Sequence, residues 1–138
     1  MTESLYLADI SAYVCQARSA DASQRFQSLL VEGRLATCQM TSLEYLNNAP
    51  DTQWYETLWG ALHGQRRLDV TAEAMDRALS VHRALATSQQ PTLSLPGLII
   101  AATAELAGYT VLHYDDNYER IAVVTGQPVE WIVPNGSL

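Results

Sequence analysis

Residues 96–117 read PGLIIAATAELAGYTVLHYDDN, and this stretch decides the fold class. Pro96 suits the first turn of a helix, where a missing N–H is no loss. From Pro96 to Ala107 the chain is apolar on most sides, broken only by Thr103 and Glu105, which predicts a central helix. Gly108 ends it. Thr110-Val111-Leu112-His113 then reads as a short buried strand, followed by the polar cluster Asp115-Asp116-Asn117. A buried helix that feeds a buried strand is the pattern of a parallel sheet covered on both faces.

Working outward, the same alternation recurs. Leu5 to Ala8 is an apolar run that stops at Asp9 and reads as a strand. Ser11 to Gln16 forms a helix with Ser11 as candidate cap. Asp21 is the candidate cap of a second helix, with Ala22, Phe26, Leu29 and Leu30 on one face and Gly33 as its stop. Leu35 to Cys38 is extended. Thr41 or Ser42 caps a helix carrying Leu43, Glu44 and Leu46, which ends near Pro50. Asp51 opens the next helix and Gly64 closes it. Its Trp54, Leu58, Trp59 and Leu62 recur at three-to-four spacing and are expected in the core. A base-stacking platform, or a protein-contact surface, is the alternative reading of these aromatics. Arg67 to Val70 is a candidate strand. Thr71 caps a long helix with Met75, Ala78, Leu79, His82 and Leu85 on one side. Residues 88–94 form a polar loop. Tyr118 to Thr125 is a short helix closed by Gly126, and Val129 to Val133 is the last strand. The whole predicts one α/β domain over residues 1–138, with a mainly parallel sheet and right-handed crossovers.

The 138 residues suffice for a single core. Fifteen acids face eight bases, a net charge of -7, and every base is Arg. The absence of Lys excludes a Schiff-base enzyme, a Walker-type phosphate loop, a Ser-Lys dyad and a phosphoacceptor receiver domain. So few positive charges also predict weak non-specific binding to nucleic-acid backbone. Cys15 and Cys38 are expected as reduced, partly buried thiols. With His63, His82 and His113 scattered, they do not outline a zinc site. No stretch is apolar for long enough to span a bilayer, and MTESLYLAD lacks a basic leader, so the expected location is the cytoplasm.

In an open parallel sheet, ligands bind beyond the carboxyl ends of the strands. Asp9 follows the first strand. Asp115 and Asp116 follow the strand that ends near His113. Glu44 lies on a helix reached from a short extended segment. Asp9, Asp115 and Asp116 are expected to share one sheet edge, to which Glu44 could also point, although each alone also reads as a turn residue, a cap or a solvated helix face. Carboxylates gathered without Lys suit a hard cation such as Mg2+ or Mn2+, which can polarise a phosphodiester and activate a water.

Four segments carry a family resemblance: LYLADISAYV (5–14), TCQMTSLEYL (37–46), LPGLIIAATAELAGYTVLHYDDNYERIA (95–122) and TGQPVEWIVPNGSL (125–138). They resemble the PIN-domain ribonucleases, and within them the VapC toxins of type II VapBC toxin–antitoxin pairs. The likeness is least specific over residues 50–90. It implies a PIN-like α/β/α sandwich, Mg2+- or Mn2+-dependent endoribonuclease activity, a cognate VapB-type antitoxin and a homodimer, with DNA met only through the antitoxin. By position, Asp9, Glu44 and Asp115 match the catalytic, metal-holding acids, and Asp116 is a further candidate ligand. Ser11 matches a site-supporting hydroxyl. Asn117 falls where many members carry another acid.

One departure matters. Members typically read Pro-Asp-Leu at the start of the central helix, and this chain reads Pro96-Gly97-Leu98. The resemblance therefore implies that a third active-site acid is replaced by Gly97. A site short of one carboxylate is expected to hold its metal more weakly and to cleave RNA poorly. Three explanations stand side by side: a substitution that silences a toxic enzyme, a naturally degenerate member, or a site that recruits Asp116 or Glu119. A catalytically inactive PIN-fold protein that serves as an antitoxin-binding, regulatory module is the alternative function.

Overall fold

Strand β1 (Tyr6–Ala8) is three apolar residues long and buried throughout, so both of its faces need covering. The computed structural model describes residues 3–88 and 94–138 and shows how this is done. In chain order the elements are β1, α1 (Ile10–Gln16), α2 (Ala20–Val31), β2 (Leu35–Cys38), α3 (Gln39–Leu46) and α4 (Thr52–His63). There follow β3 (Arg66–Leu68), α5 (Ala72–Thr87), α6 (Leu95–Ala107), β4 (Thr110–His113), α7 (Asp116–Thr125) and β5 (Val129–Trp131). Among the described residues the five strands form one sheet of order β3-β2-β1-β4-β5, and every pairing is parallel.

Because side chains alternate across a strand, neighbouring residues feed different layers. Leu7, Ala36 and Val111 point to the layer of α5, α6 and α7, where they meet Ala78, Leu85, Ile100, Ala104 and Ile121. Tyr6, Ala8, Leu35 and Leu112 point to the other layer and pack on Ala12, Tyr13, Phe26 and Leu29 from α1 and α2. The result is the expected α/β/α sandwich. Helix α6 is central, as its composition predicts, with Gly97, Leu98 and Ile100 to Ala104 buried. Gly108 closes it in the left-handed region, at φ +74°.

Several local expectations are corrected. Helix α1 is capped by Asp9 rather than Ser11, and α2 by Ser19 rather than Asp21. Helix α3 begins directly after β2, with Cys38 at the cap position and no side-chain cap, instead of starting at Thr41 or Ser42. The β3 and β5 strands are shorter or shifted, at Arg66–Leu68 and Val129–Trp131. Along α5 the inward stripe is Ala74, Ala78, Val81 and Leu85, while Met75, Leu79 and His82 face out. Residues 89–93, the middle of the expected polar loop, lie outside the described residues. Both cysteines are free and buried. No helix among the described residues is long and apolar enough to cross a membrane.

The largest correction concerns α4. Trp54 is 54% exposed and Trp59 46%, and only Leu62 of the stripe is buried. Tyr55, Trp59 and His63 stack on one another along the outside of the helix instead of entering the core. Trp54→Ala should therefore change stability by no more than about 0.5 kcal/mol, the range of ordinary surface substitutions. A urea midpoint shifted as far as a core truncation shifts it, by several kcal/mol, would contradict this placement.

Candidate active site

The chain steps from β3 at one edge of the sheet to β4 beside β1. Strand order thus reverses between β1 and β4, the place where open α/β sheets bind ligands. The register aligns Ala8 with Leu112, so the residues after both strands emerge at one edge. The backbone N–H of Asp9 donates to the Leu112 carbonyl (3.0 Å) and fixes this junction.

Asp9 is only 4% exposed and both of its carboxylate oxygens are engaged. Oδ2 accepts the Ser11 backbone N–H (2.9 Å), which caps α1. Oδ1 accepts the Tyr118 hydroxyl (2.5 Å). Ser11 in turn accepts the Tyr114 backbone N–H at its Oγ (2.8 Å), tying α1 to the segment after β4. Ser11→Ala leaves that N–H without its partner and is expected to destabilise the fold by about 1–3 kcal/mol, read as a shift in urea midpoint. An unchanged midpoint would show that water satisfies the group equally well.

Asp115 caps α7, with Oδ1 accepting the Asn117 N–H (2.9 Å). Its own N–H donates to Nδ1 of His113 (3.1 Å), so the His113 proton is assigned to Nε2. His113 is fully buried between Tyr118 and Trp131. Its Nε2 faces Glu119 Oε1 at 3.3 Å without hydrogen-bond geometry. Burial pushes the imidazole below its ordinary range, against the pull of Glu119, Asp9 and Asp115.

Glu44 comes from a third element, α3. Its Oε1 is buried and has no hydrogen-bond partner. Burial, then the charges of Asp9 and Asp115, raise its carboxyl above the usual range. The fully buried Tyr118 phenol is raised in the same way by burial, by Asp9, and by the charges of Glu44 and Asp115. The charges of Asp9 and Asp115 thus bear on Glu44, and those of all three carboxylates bear on Tyr118.

Gly97 borders Tyr118. It is buried in the first turn of α6, and its N–H donates to the Ser94 cap. A methyl carbon built on it meets nothing nearer than the Tyr118 hydroxyl, at 3.7 Å. Asp116 is exposed in the first turn of α7, and Asn117 accepts from Arg120 through its side chain. Neither Asp116 nor Glu119 is among the charges that act on Glu44.

For a divalent cation, these donors fit in kind and fall short in number. They are all hard oxygens, and Glu44 carries a buried oxygen that calls for a cation or a proton. Yet no three His, Cys, Asp or Glu side chains among the described residues are gathered so as to hold an ion. Asp9 is turned to Tyr118, and position 97 offers no oxygen.

Sequence reasoning missed Tyr118, read there only as a helix start, and gave His113 no role beside the acids. A signal for Tyr118 was present: Tyr118 and Ile121 recur at i and i+3, which aims the first turn of α7 inward at the sheet edge. A sizeable apolar groove lies elsewhere. It measures about 490 Å³ and lies between α3, α4 and the β2–β3 side of the sheet, lined by Leu43, Leu46, Trp59, Leu62 and Arg67. Glu44 is not part of its wall.

Over 137 residues the chain is 39% identical to "Ribonuclease VapC18" of Mycobacterium tuberculosis (strain ATCC 25618 / H37Rv), covering 97% of this chain and 99% of that protein. The chain belongs to the VapC ribonuclease family. "Ribonuclease VapC51" of the same strain is 40% identical over 134 residues, 96% of each protein. No protein-family model matches the chain. VapC-like architecture is equally evident in three dimensions. A chain of DNA-bound VapBC from Salmonella typhimurium superposes with a TM-score of 0.74 at 18% identity, over 95% of this chain and all of that one. A chain of VapBC2 from Rickettsia felis bound to a promoter DNA fragment gives 0.75 at 13% identity, over 92% and 98%. The all-parallel five-stranded sheet with its flanking helices is thus the PIN-like fold of VapC toxins.

Proposed function

We propose that this chain is the toxin of a VapBC pair, a single PIN domain over residues 1–138 that hydrolyses RNA phosphodiesters at the edge between β1 and β4. The observation that carries this reading is geometric: Asp9 and Asp115 follow the adjoining ends of β1 and β4, and Glu44 of α3 carries a buried carboxylate oxygen with no hydrogen-bond partner. These are the catalytic acids, and they are the residues that would hold Mg2+ or Mn2+. When bound, such an ion supplies positive charge to the phosphate and acidifies the attacking water. The chain's own contribution is orientation. The N–H groups of Ser11 and Asn117 fix the carboxylates of Asp9 and Asp115. Ser11 also locks the two strand ends together. Glu44 presents the oxygen with no protein partner.

Gly97 leaves this set incomplete, so metal binding and turnover are impaired. Recruitment of Asp116 is the less supported remedy, since that side chain is exposed. The partner is a VapB-type antitoxin, in keeping with the VapBC complexes that share this fold. The protein works in the cytoplasm on RNA, as a homodimer, and meets DNA through the antitoxin.

The test is RNA cleavage by the purified chain in Mn2+, in Mg2+ and in excess chelator. Slow cleavage that the chelator stops, and that Asp115→Ala abolishes, is expected. Cleavage that survives both the chelator and Asp115→Ala would sink the assignment.

A further inference from the structure

We propose that Tyr118 is a positioning residue that withholds Asp9 from a divalent cation in this chain, its hydroxyl turned to Asp9 because Gly97 offers it no second acceptor. This rests on the reading of Asp9 as a metal-holding acid. Three facts meet at one point. The Tyr118 hydroxyl is buried and donates to Asp9 Oδ1 at 2.5 Å. The second Asp9 oxygen is held in place by the Ser11 N–H. A Cβ at position 97 would stand 3.7 Å from the same hydroxyl, in ordinary contact. Residue 97, the Tyr118 hydroxyl and the Asp9 carboxylate are therefore consecutive neighbours.

A buried hydroxyl needs a partner, and here Asp9 supplies it. A cation that takes Asp9 Oδ1 competes with the phenol for the same buried oxygen and weakens a hydrogen bond to a charged group. With a carboxylate at position 97, the hydroxyl has a second acceptor at hand and Asp9 is released. Tyr118 and Gly97 thus form one coupled device: the glycine removes a ligand and, through the tyrosine, masks another. The tyrosine ring has a separate task, since it packs on His113 with 5.1 Å between ring centroids. Tyr118→Phe keeps that packing and removes only the hydroxyl.

The experiment compares the unaltered chain, Tyr118→Phe, Gly97→Asp and the double variant. Mn2+ dissociation constants are read from the electron paramagnetic resonance of free Mn2+, and circular dichroism reports folding. Tyr118→Phe should tighten Mn2+ binding about tenfold or more in the Gly97 background, the weight of a hydrogen bond to a charged group. It should tighten binding much less in the Gly97→Asp background. A hydroxyl with a purely structural role would lower the melting temperature and leave the Mn2+ constant unmoved. A second measurement needs no variant: in a Mg2+ titration of the unaltered chain, the Tyr118 hydroxyl proton resonance should lose its hydrogen-bonded shift as the site fills. A shift retained at saturation overturns the proposal. If Gly97→Asp binds Mn2+ and removal of the hydroxyl changes nothing in either background, this inference fails and the metal-site reading stands. If none of the four forms binds Mn2+, both fail.

Discussion

Gly97→Asp is expected to raise Mn2+ affinity and RNA cleavage together, each by at least about 10- to 100-fold, since loss of even an outer-shell partner costs a metal site that much. Position 97 is ready for the change. It lies in the first turn of α6, after the Ser94 cap and Pro96, where a carboxylate is favoured by the helix dipole by about 0.3–1 kcal/mol. Nothing stands closer than 3.7 Å to the new Cβ, so the backbone need not move. Without metal the added carboxylate joins Asp9, Glu44 and Asp115 and raises their mutual repulsion, which offsets the dipole gain. The stability of the Gly97→Asp chain should therefore depend on Mn2+ far more than that of the unaltered chain. At a Mn2+ concentration a hundred times the dissociation constant, the folded state gains about 2.7 kcal/mol. Melting curves with and without Mn2+, beside an RNA cleavage assay, check both halves. If the Gly97→Asp chain binds Mn2+ no better and cleaves no RNA, position 97 is not the missing acid.

Most of the fold was legible because the sequence punctuates it with residues whose physics is local. Gly108 and Gly126 end α6 and α7 in the left-handed region, and Pro96 lies in the first turn of α6. The short apolar runs before Asp9 and Asp115 could only be buried strands, so the two acids had to emerge where β1 and β4 end. Cap identity was less legible. Asp9 and Ser11, or Ser19 and Asp21, lie two residues apart and offer similar oxygens, and the choice is made by where the strand or the previous helix releases the chain. The aromatic stripe of α4 failed for a different reason. Periodicity shows that a helix has an apolar face, and it does not show that the fold covers that face. Glu44 could be placed on a helix but not turned toward the acids, because its orientation depends on α3 starting at once from Cys38. Tyr118 was hidden by its own chemistry: its ring reads as core and its hydroxyl, which acts on Asp9, leaves no mark in a hydrophobic pattern.

Asp9 carries two separable loads, and two substitutions in the Gly97→Asp background should pull them apart. Asp9→Asn removes the charge and keeps the shape. Asn caps helices about as well as Asp, so the Ser11 N–H keeps an acceptor. The Tyr118 hydroxyl, a donor in the present arrangement, can turn and accept from the new amide, because hydroxyls serve in both roles. Asp9→Asn should therefore stay within about 1 kcal/mol of its parent in urea unfolding without metal, while losing Mn2+ binding and most of its cleavage. Asp9→Ala also loses both partners. The lost cap costs about 0.5–2 kcal/mol. The buried tyrosine hydroxyl left unpaired costs about 1–3 kcal/mol more. Relief of repulsion at Glu44, whose carboxyl is raised in part by the Asp9 charge, returns a fraction of this. The alanine variant should be both inactive and less stable than the asparagine variant, by about 2–4 kcal/mol from those two losses together. Equal stability of the two would mean that the cap and the tyrosine bond contribute little. Cleavage retained by Asp9→Asn would remove Asp9 from the catalytic acids altogether.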